Sequence, residues 1–185
     1  MFIRRSPSRV IVLLGLVLML SGLLPGFALA AAVPQPAPSS ALPPPAIPLA
    51  EARIIVEGAI AYARERNVLM AAVVVDTSGN PITADRMDGV SFANATYAEG
   101  KAFASAISRQ TTQTLSELAK TRPDRYFGIM GMYPGKVYLV GGGVPIVSNG
   151  RLLGAVGVAG LAQYEDEAAG RAGIAAWEKY RASRR

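Results

Sequence analysis

Beyond residue 47 the spacing of apolar positions changes several times, and each change marks an element. Leu49, Ala52, Val56, Ala59, Ile60 and Ala63 recur at helical spacing, while Glu51, Arg53, Glu57, Arg64 and Glu65 take the other face. The pattern predicts an amphipathic helix with Pro48 in its first turn, ending near Asn67. Met70 to Asp76 is then an uninterrupted run rich in β-branched residues. Thr77-Ser78-Gly79-Asn80-Pro81 is a dense turn signal, and Ile82 to Met87 is a second short run. Together they predict a hairpin. Asp76 opens its turn, and an aspartate there more often bonds its own backbone two residues on than serves as a catalytic carboxylate.

Ser91 suits the cap of a helix running to about Arg109, in which Ala95, Ala98, Ala102 and Ala106 form a stripe of small residues. Such a stripe permits close approach to a sheet or to another subunit. Gly100, inside the same helix, costs about 1 kcal/mol relative to alanine and points to a surface that comes very near. A short helix starts at Thr112 or Thr114, where Thr114 and Glu117 have the spacing of a capping box. Arg122 to Lys136 (RPDRYFGIMGMYPGK) reads as a long loop, and Val137 to Val140 as a short strand. Gly141 to Gly160 (GGGVPIVSNGRLLGAVGVAG) is the clearest hairpin, with strands Val144 to Ser148 and Arg151 to Val158 about Asn149-Gly150. That dipeptide supplies the two positive φ angles a primed two-residue turn requires. Gly154, Gly157 and Gly160 let a backbone or a flat ligand approach the second strand. The last helix begins at Glu165-Asp166-Glu167 and runs past Trp177, with acids at its positive end and Lys179 and Arg181 at the other.

The first 47 residues follow another logic. Arg4, Arg5 and Arg9 precede an apolar run from Val10 to Leu24, which is shorter than the roughly 20 residues a membrane span needs. Ala28-Leu29-Ala30 then offers a cleavage site, so residues 1–30 read as a signal peptide of the general export route. The expected location is the periplasm or the cell exterior, with no stable membrane insertion after cleavage; an uncleaved tether is the alternative. Residues 31–47, rich in proline and alanine, read as a linker, and 48–181 as one domain. The leader carries three of the 19 basic residues and none of the 13 acidic ones. What remains is a small, dispersed positive charge, which is no nucleic-acid footprint.

Cysteine and histidine are both absent. That excludes disulfides, thiolate and histidine metal sites and a Ser-His-Asp triad, and no other metal site is expected. The glycines at 141–143 are followed by no Lys-Ser/Thr and lead into a strand, so a phosphate-loop reading fails. Glu165, Asp166 and Glu167 need no cation to explain them. Arg86 and Asp88 form either a local salt bridge that shapes a loop or an anion site, Arg86 donating and Asp88 orienting it. Lys101 is either a ligand-facing cation or a solvated lysine. The 122–136 stretch, with its aromatics and methionines, is either a cover on the core or a contact for a flat apolar partner.

Several motifs in order resemble one family. AAVVVDTSGNPITADRMDG from Ala71, AEGKA from Ala98, the Gly141–Gly160 hairpin and AGIAA from Ala172 are similar to the haem-degrading domain family typified by the glycolate-operon G protein and secreted haem-binding proteins. The resemblance spans Pro48 to Trp177. It implies an α/β domain of the α+β kind, profilin-like or PAS-like, with a five-stranded antiparallel sheet flanked by helices and often assembled into homo-oligomers. It implies as ligand a haem or related tetrapyrrole, with Arg86 and Lys101 receiving propionates and Tyr97, Tyr126, Met130, Met132 or Tyr133 packing on the macrocycle. An enzyme or accessory protein for a small hydroxy-carboxylate or corrinoid, and an assembly module without ligand, are the alternatives. Ala159 stands where relatives often carry serine, which puts in doubt any role resting on that hydroxyl.

Overall fold

The computed structural model describes residues 46–160 and 162–184; the expected signal peptide and nearly all of the expected linker lie outside them. The element order is α1 (Leu49–Glu65), β1 (Ala71–Val75), β2 (Pro81–Arg86), α2 (Phe92–Ser108), α3 (Thr112–Thr121), α4 (Pro123–Met132), β3 (Gly143–Ser148), β4 (Arg151–Ala159) and α5 (Gln163–Ala182). The strands form a four-stranded antiparallel sheet in the order β2-β1-β4-β3.

Alternation along the two central strands builds two cores. Ala72 and Val74 of β1 and Val156 and Val158 of β4 face α1 and α5, where Ile55, Val56 and Trp177 complete an aliphatic core. Ala71, Val73 and Val75, with Ala155 and Ala159, face α2 and meet Ala98, Ala102 and Ala106. The alanine stripe is therefore spent on the sheet. A Cβ on Gly157 would lie 2.5 Å from Ala102 N, so α2 rests on the bare backbone of β4. The glycines of that strand admit backbone, not a flat ligand. Ile47, at the end of the expected linker, belongs to the aliphatic core, and its N–H donates to Leu153 O at 3.2 Å.

Local signals set several junctions. Asn149 and Gly150 both have positive φ, 50° and 74°, as a primed turn requires. Asp76 Oδ1 accepts from Ser78 N at 2.8 Å and Asn80 N at 2.9 Å. Partial burial works against the Asp76 carboxylate, but these bonds outweigh it and hold the group below its ordinary value. Ser91 caps α2 by accepting from Ala93 N, and Arg109 ends it in the left-handed region.

Three expectations are corrected. Among the described residues the sheet has four strands where five were expected: Val137–Val140 joins no strand of it, and Tyr138 N donates instead to Gly100 O of α2 at 3.3 Å. The approaching surface that Gly100 makes room for is Tyr138, whose Cβ would stand 2.9 Å from a Cβ at position 100. The expected loop contains a ten-residue helix, α4, with Pro123 in its first turn. Finally, Thr111 caps α3 by accepting from Thr114 N at 3.2 Å, whereas Glu117 pairs with Lys120 at 2.7 Å instead of closing a capping box.

Candidate functional site

The side of α2 turned away from the sheet carries Phe103, Ala104 and Ile107, and the sheet does not cover them. Cover comes from α3, α4 and the irregular 137–139 segment. Leu115 and Tyr126, one from each short helix, pack with Phe103, Ala104 and Val137 in a third, smaller core. Thr112 is wholly buried and fastens α3 to the sheet, its Oγ1 accepting from Gly143 N at 2.7 Å. The cover is incomplete. Between it and α2 lies a cleft of about 380 Å³ walled by Ile107, Leu115, Tyr126, Ile129, Met132 and Tyr133, with Arg125 and Gln110 at its border.

One aromatic contact steadies the wall. Phe103 meets Tyr133 edge-on, with centroids 5.3 Å apart, and Lys136 Nζ lies 5.8 Å from the centroid of Phe103. Edge-to-face pairing of this kind holds both rings in fixed orientation. On its outer side α4 leaves Phe127 71% exposed, and at its end Met132 is 73% exposed. The cleft thus opens beside an apolar lip.

The sequence-predicted residues do not share one place. Tyr126, Met132 and Tyr133 come together in the cleft. Met130, on the same helix, is partly exposed and does not line it. Tyr97 stacks on Tyr138, with centroids 4.7 Å apart and planes 15° from parallel, outside the cleft lining. Arg86 and Asp88 border a separate open groove with Arg64 and Leu69, on the edge strand β2 and the loop after it. Arg86 Nη1 donates to Val90 O, and among the described residues no ion pair joins Arg86 to Asp88.

Lys101 is neither solvated nor facing the cleft. Its Nζ donates to Asp166 Oδ2 at 2.7 Å and to Val158 O at 2.8 Å, and both side chains of the pair are only 3% exposed. Burial draws the ammonium below its usual range, while the charge and hydrogen bond of Asp166 pull the other way. The pair ties α2 and β4 to the first turn of α5. Asp166, expected only as a helix-start acid, thus has a second role that its position in sequence does not reveal. Arg125 is the other residue sequence reasoning passed over. Its signal, a cation two residues beyond the proline of an aromatic-rich segment, becomes readable only once that segment is known to be helical.

Comparisons with known proteins agree with this architecture. A family model described as haem degrading protein HbpS-like matches residues 47–175. An uncharacterised 15.0 kDa protein from the dhaT-dhaS intergenic region of Citrobacter freundii is 32% identical over 114 residues, covering 62% of this chain and 80% of that one. Among solved structures, a double mutant of Streptomyces reticuli HbpS matches with a TM-score of 0.68 and 27% identity, over 78% of this chain and 97% of that one. A PduOC–haem complex matches with a TM-score of 0.64 and 24% identity, over 71% of this chain and 94% of that one, a likeness of fold. With the family model matching well over half of its length and a curated relative above 30% identity, the chain belongs to the HbpS-like haem degrading protein family.

Proposed function

We propose that the protein is exported and binds haem or a closely related tetrapyrrole, edge-on, in the cleft between α2, α3 and α4. The observation that carries this reading is the cleft itself. Its volume of about 380 Å³ lies within the range of small-molecule sites, roughly 300–1,000 Å³. Its walls are mostly aromatic and aliphatic, with few polar groups at the border, the lining a macrocycle requires. Membership of a haem-degrading family supports it, and PduOC shows that a related fold accepts haem. The leader pattern supports export.

The residues present fit the group. Tyr133, Tyr126, Ile129 and Met132 would pack on the ring, and Arg125 would receive a propionate in the part first assigned to Arg86 and Lys101. Haem iron takes histidine, thiolate, methionine or tyrosinate from proteins. With histidine and cysteine absent, Tyr126, Tyr133 and Met132 are the donors the cleft offers. Bound haem would supply a redox-active iron and a Soret chromophore. The exposed Phe92, Phe127, Met132 and Tyr164 support self-association of the protein as a homo-oligomer; a monomer by light scattering at micromolar concentration would remove that part of the proposal.

Titration of the purified protein with haemin, followed at the Soret band with cobalamin and glycolate as controls, tests the reading. A saturable red shift is expected, without a bis-histidine low-spin spectrum and with affinity nearly constant between about pH 6 and 7.5. Arg125→Ala should weaken binding about tenfold or more, since a charge-assisted bond contributes about 1.5–3 kcal/mol. Tyr133→Phe should alter the spectrum. No binding by the wild type rejects haem; unaltered binding in both variants places the site outside this cleft.

A further inference from the structure

Tyr133 meets the cleft from a position fixed on two sides. On the main chain, its N–H donates to Ile129 O at 3.1 Å as α4 ends, and its own carbonyl accepts from Lys136 N at 3.1 Å. Between them lie Pro134 and Gly135, the latter with φ of 73°, and a proline followed by a positive-φ glycine is what a type II turn requires. On the side chain, the ring stands edge-on to Phe103, with centroids 5.3 Å apart and planes at 64°. The turn also brings Lys136 back to that ring, its Nζ 5.8 Å from the Phe103 centroid and within range of a cation–π contact. Both ends of the turn rest on Phe103.

Phe103 is itself held. It is buried in the third core with Leu115, Tyr126 and Val137, and it lies against the β1–β2 turn at Gly79, where φ is 84° and an added Cβ would run into the ring. It does not line the cleft. Whatever it does for the site it does through Tyr133.

The cleft's three donors differ in how they could meet an iron. Tyr126 is buried as an anchor of the third core, so a metal on its oxygen would have to sit inside that packing. Met132 is largely exposed, among the described residues no ring contact fixes it, and its thioether is a softer donor than a phenolate oxygen. Tyr133, 37% exposed, is both open to the cleft and fixed in orientation. We propose, on the basis of the haem reading above, that Tyr133 supplies the oxygen that ligates the iron and that Phe103 is its positioning residue, holding the phenol ring at the wall before any ligand arrives.

The positioning is tested without haem. A ring held in one orientation contributes to near-ultraviolet circular dichroism, so Tyr133→Phe should remove a band from the otherwise wild-type protein and remove little in a Phe103→Leu background. Far-ultraviolet circular dichroism and the urea midpoint check that Phe103→Leu is folded. Pro134→Gly, on the surface, loosens the same ring from the main-chain side without touching the core and should diminish the band too. Phe103→Tyr, which keeps an aromatic edge against Tyr133, should preserve it. With haemin bound, a phenolate-to-iron charge-transfer band is expected in the wild type. It should be absent in Tyr133→Phe and weakened in Phe103→Leu, with an affinity loss of about two- to tenfold, and should return in Phe103→Tyr. Tyr126→Phe and Met132→Leu, which alter the walls, should change affinity and leave the band in place. Haemin binding with no such band, or a band that survives Tyr133→Phe, overturns the donor. An undiminished Tyr133 contribution to the dichroism in both Phe103→Leu and Pro134→Gly overturns the positioning. Failure of the wild type to bind haemin overturns the haem reading and the donor with it, while the haem-free dichroism still decides the positioning.

Discussion

Replacing Lys101 by methionine keeps most of the side chain's volume and removes its charge, which isolates the electrostatic part of the α2–α5 junction. Lys101 Nζ lies 2.7 Å from Asp166 Oδ2, with both side chains 3% exposed. Solvent therefore cannot replace the lost partner without opening the junction. Taking away one member of such a pair costs about 3–5 kcal/mol, a large share of the ~5–15 kcal/mol that holds a domain folded. For a domain of this size the loss corresponds to a fall in Tm of roughly 10 °C. Urea unfolding followed by circular dichroism measures it, with the midpoint moving and the slope unchanged. The second half of the argument is the double variant Lys101→Met with Asp166→Leu. Removing both charges removes the desolvation cost along with the attraction, so the pair of changes should cost clearly less than the sum of the two single ones. A loss below about 1 kcal/mol in Lys101→Met would mean that water reaches the pair. Simple additivity in the double variant would mean that the two charges do not act on each other, and either result refutes the reasoning.

Three further outcomes follow from other contacts. Gly157→Ala places a methyl group against the backbone of α2 at Ala98 and Ala102, and should destabilise by about 1–3 kcal/mol, seen as a lowered urea midpoint. Asp76→Ala removes the acceptor for the Ser78 and Asn80 amides and should lower stability at neutral pH. Because the folded Asp76 titrates below its ordinary carboxylate value, its contribution is present above the unfolded value and fades as pH falls through the folded one. The gap between wild type and variant, measured by unfolding across acid pH, should close in that window; a constant gap would dissociate the turn from the titration. Intact-mass analysis of exported protein should find a chain beginning after Ala30, and retention of Met1 would show a membrane-tethered form instead.

Much of the fold is readable because its determinants are local. The Asn149-Gly150 turn, the Asp76 turn and the Ser91 cap each depend on residues within four positions of one another, and each occurs where the pattern places it. Periodicity separates helices from strands for the same reason. Lys101 and Asp166 are 65 positions apart, and neither carries a local sign that the other exists. A lysine after a helical glycine looks solvated until Gly142 and β4 close over it. α4 was hidden by a different cause. Gly128 and Gly131 lower helix propensity, yet a Cβ at either would meet nothing within 4 Å, so the helix simply keeps an open side while Tyr126 and Ile129 anchor the other. Propensity spoke for a loop and tertiary packing overruled it.

The small residues that let α2 sink onto β4 also determine where the candidate site lies. With Ala98, Ala102 and Ala106 pressed against the sheet, Phe103, Ala104 and Ile107 necessarily point away from it and need another apolar cover. The chain supplies that cover from two ten-residue helices and the irregular 137–139 segment. Such pieces bury one face of α2 without filling the space beneath them, because α3 contributes Leu115 and α4 contributes Tyr126 as their buried apolar anchors. The unfilled space is the cleft, and the exposed side of its cover is the lip formed by Phe127 and Met132. Enlarging the alanine stripe would therefore act on the site as well as on the core: lifting α2 from the sheet would press Phe103 and Ile107 into the cleft and reduce the room for any ligand there.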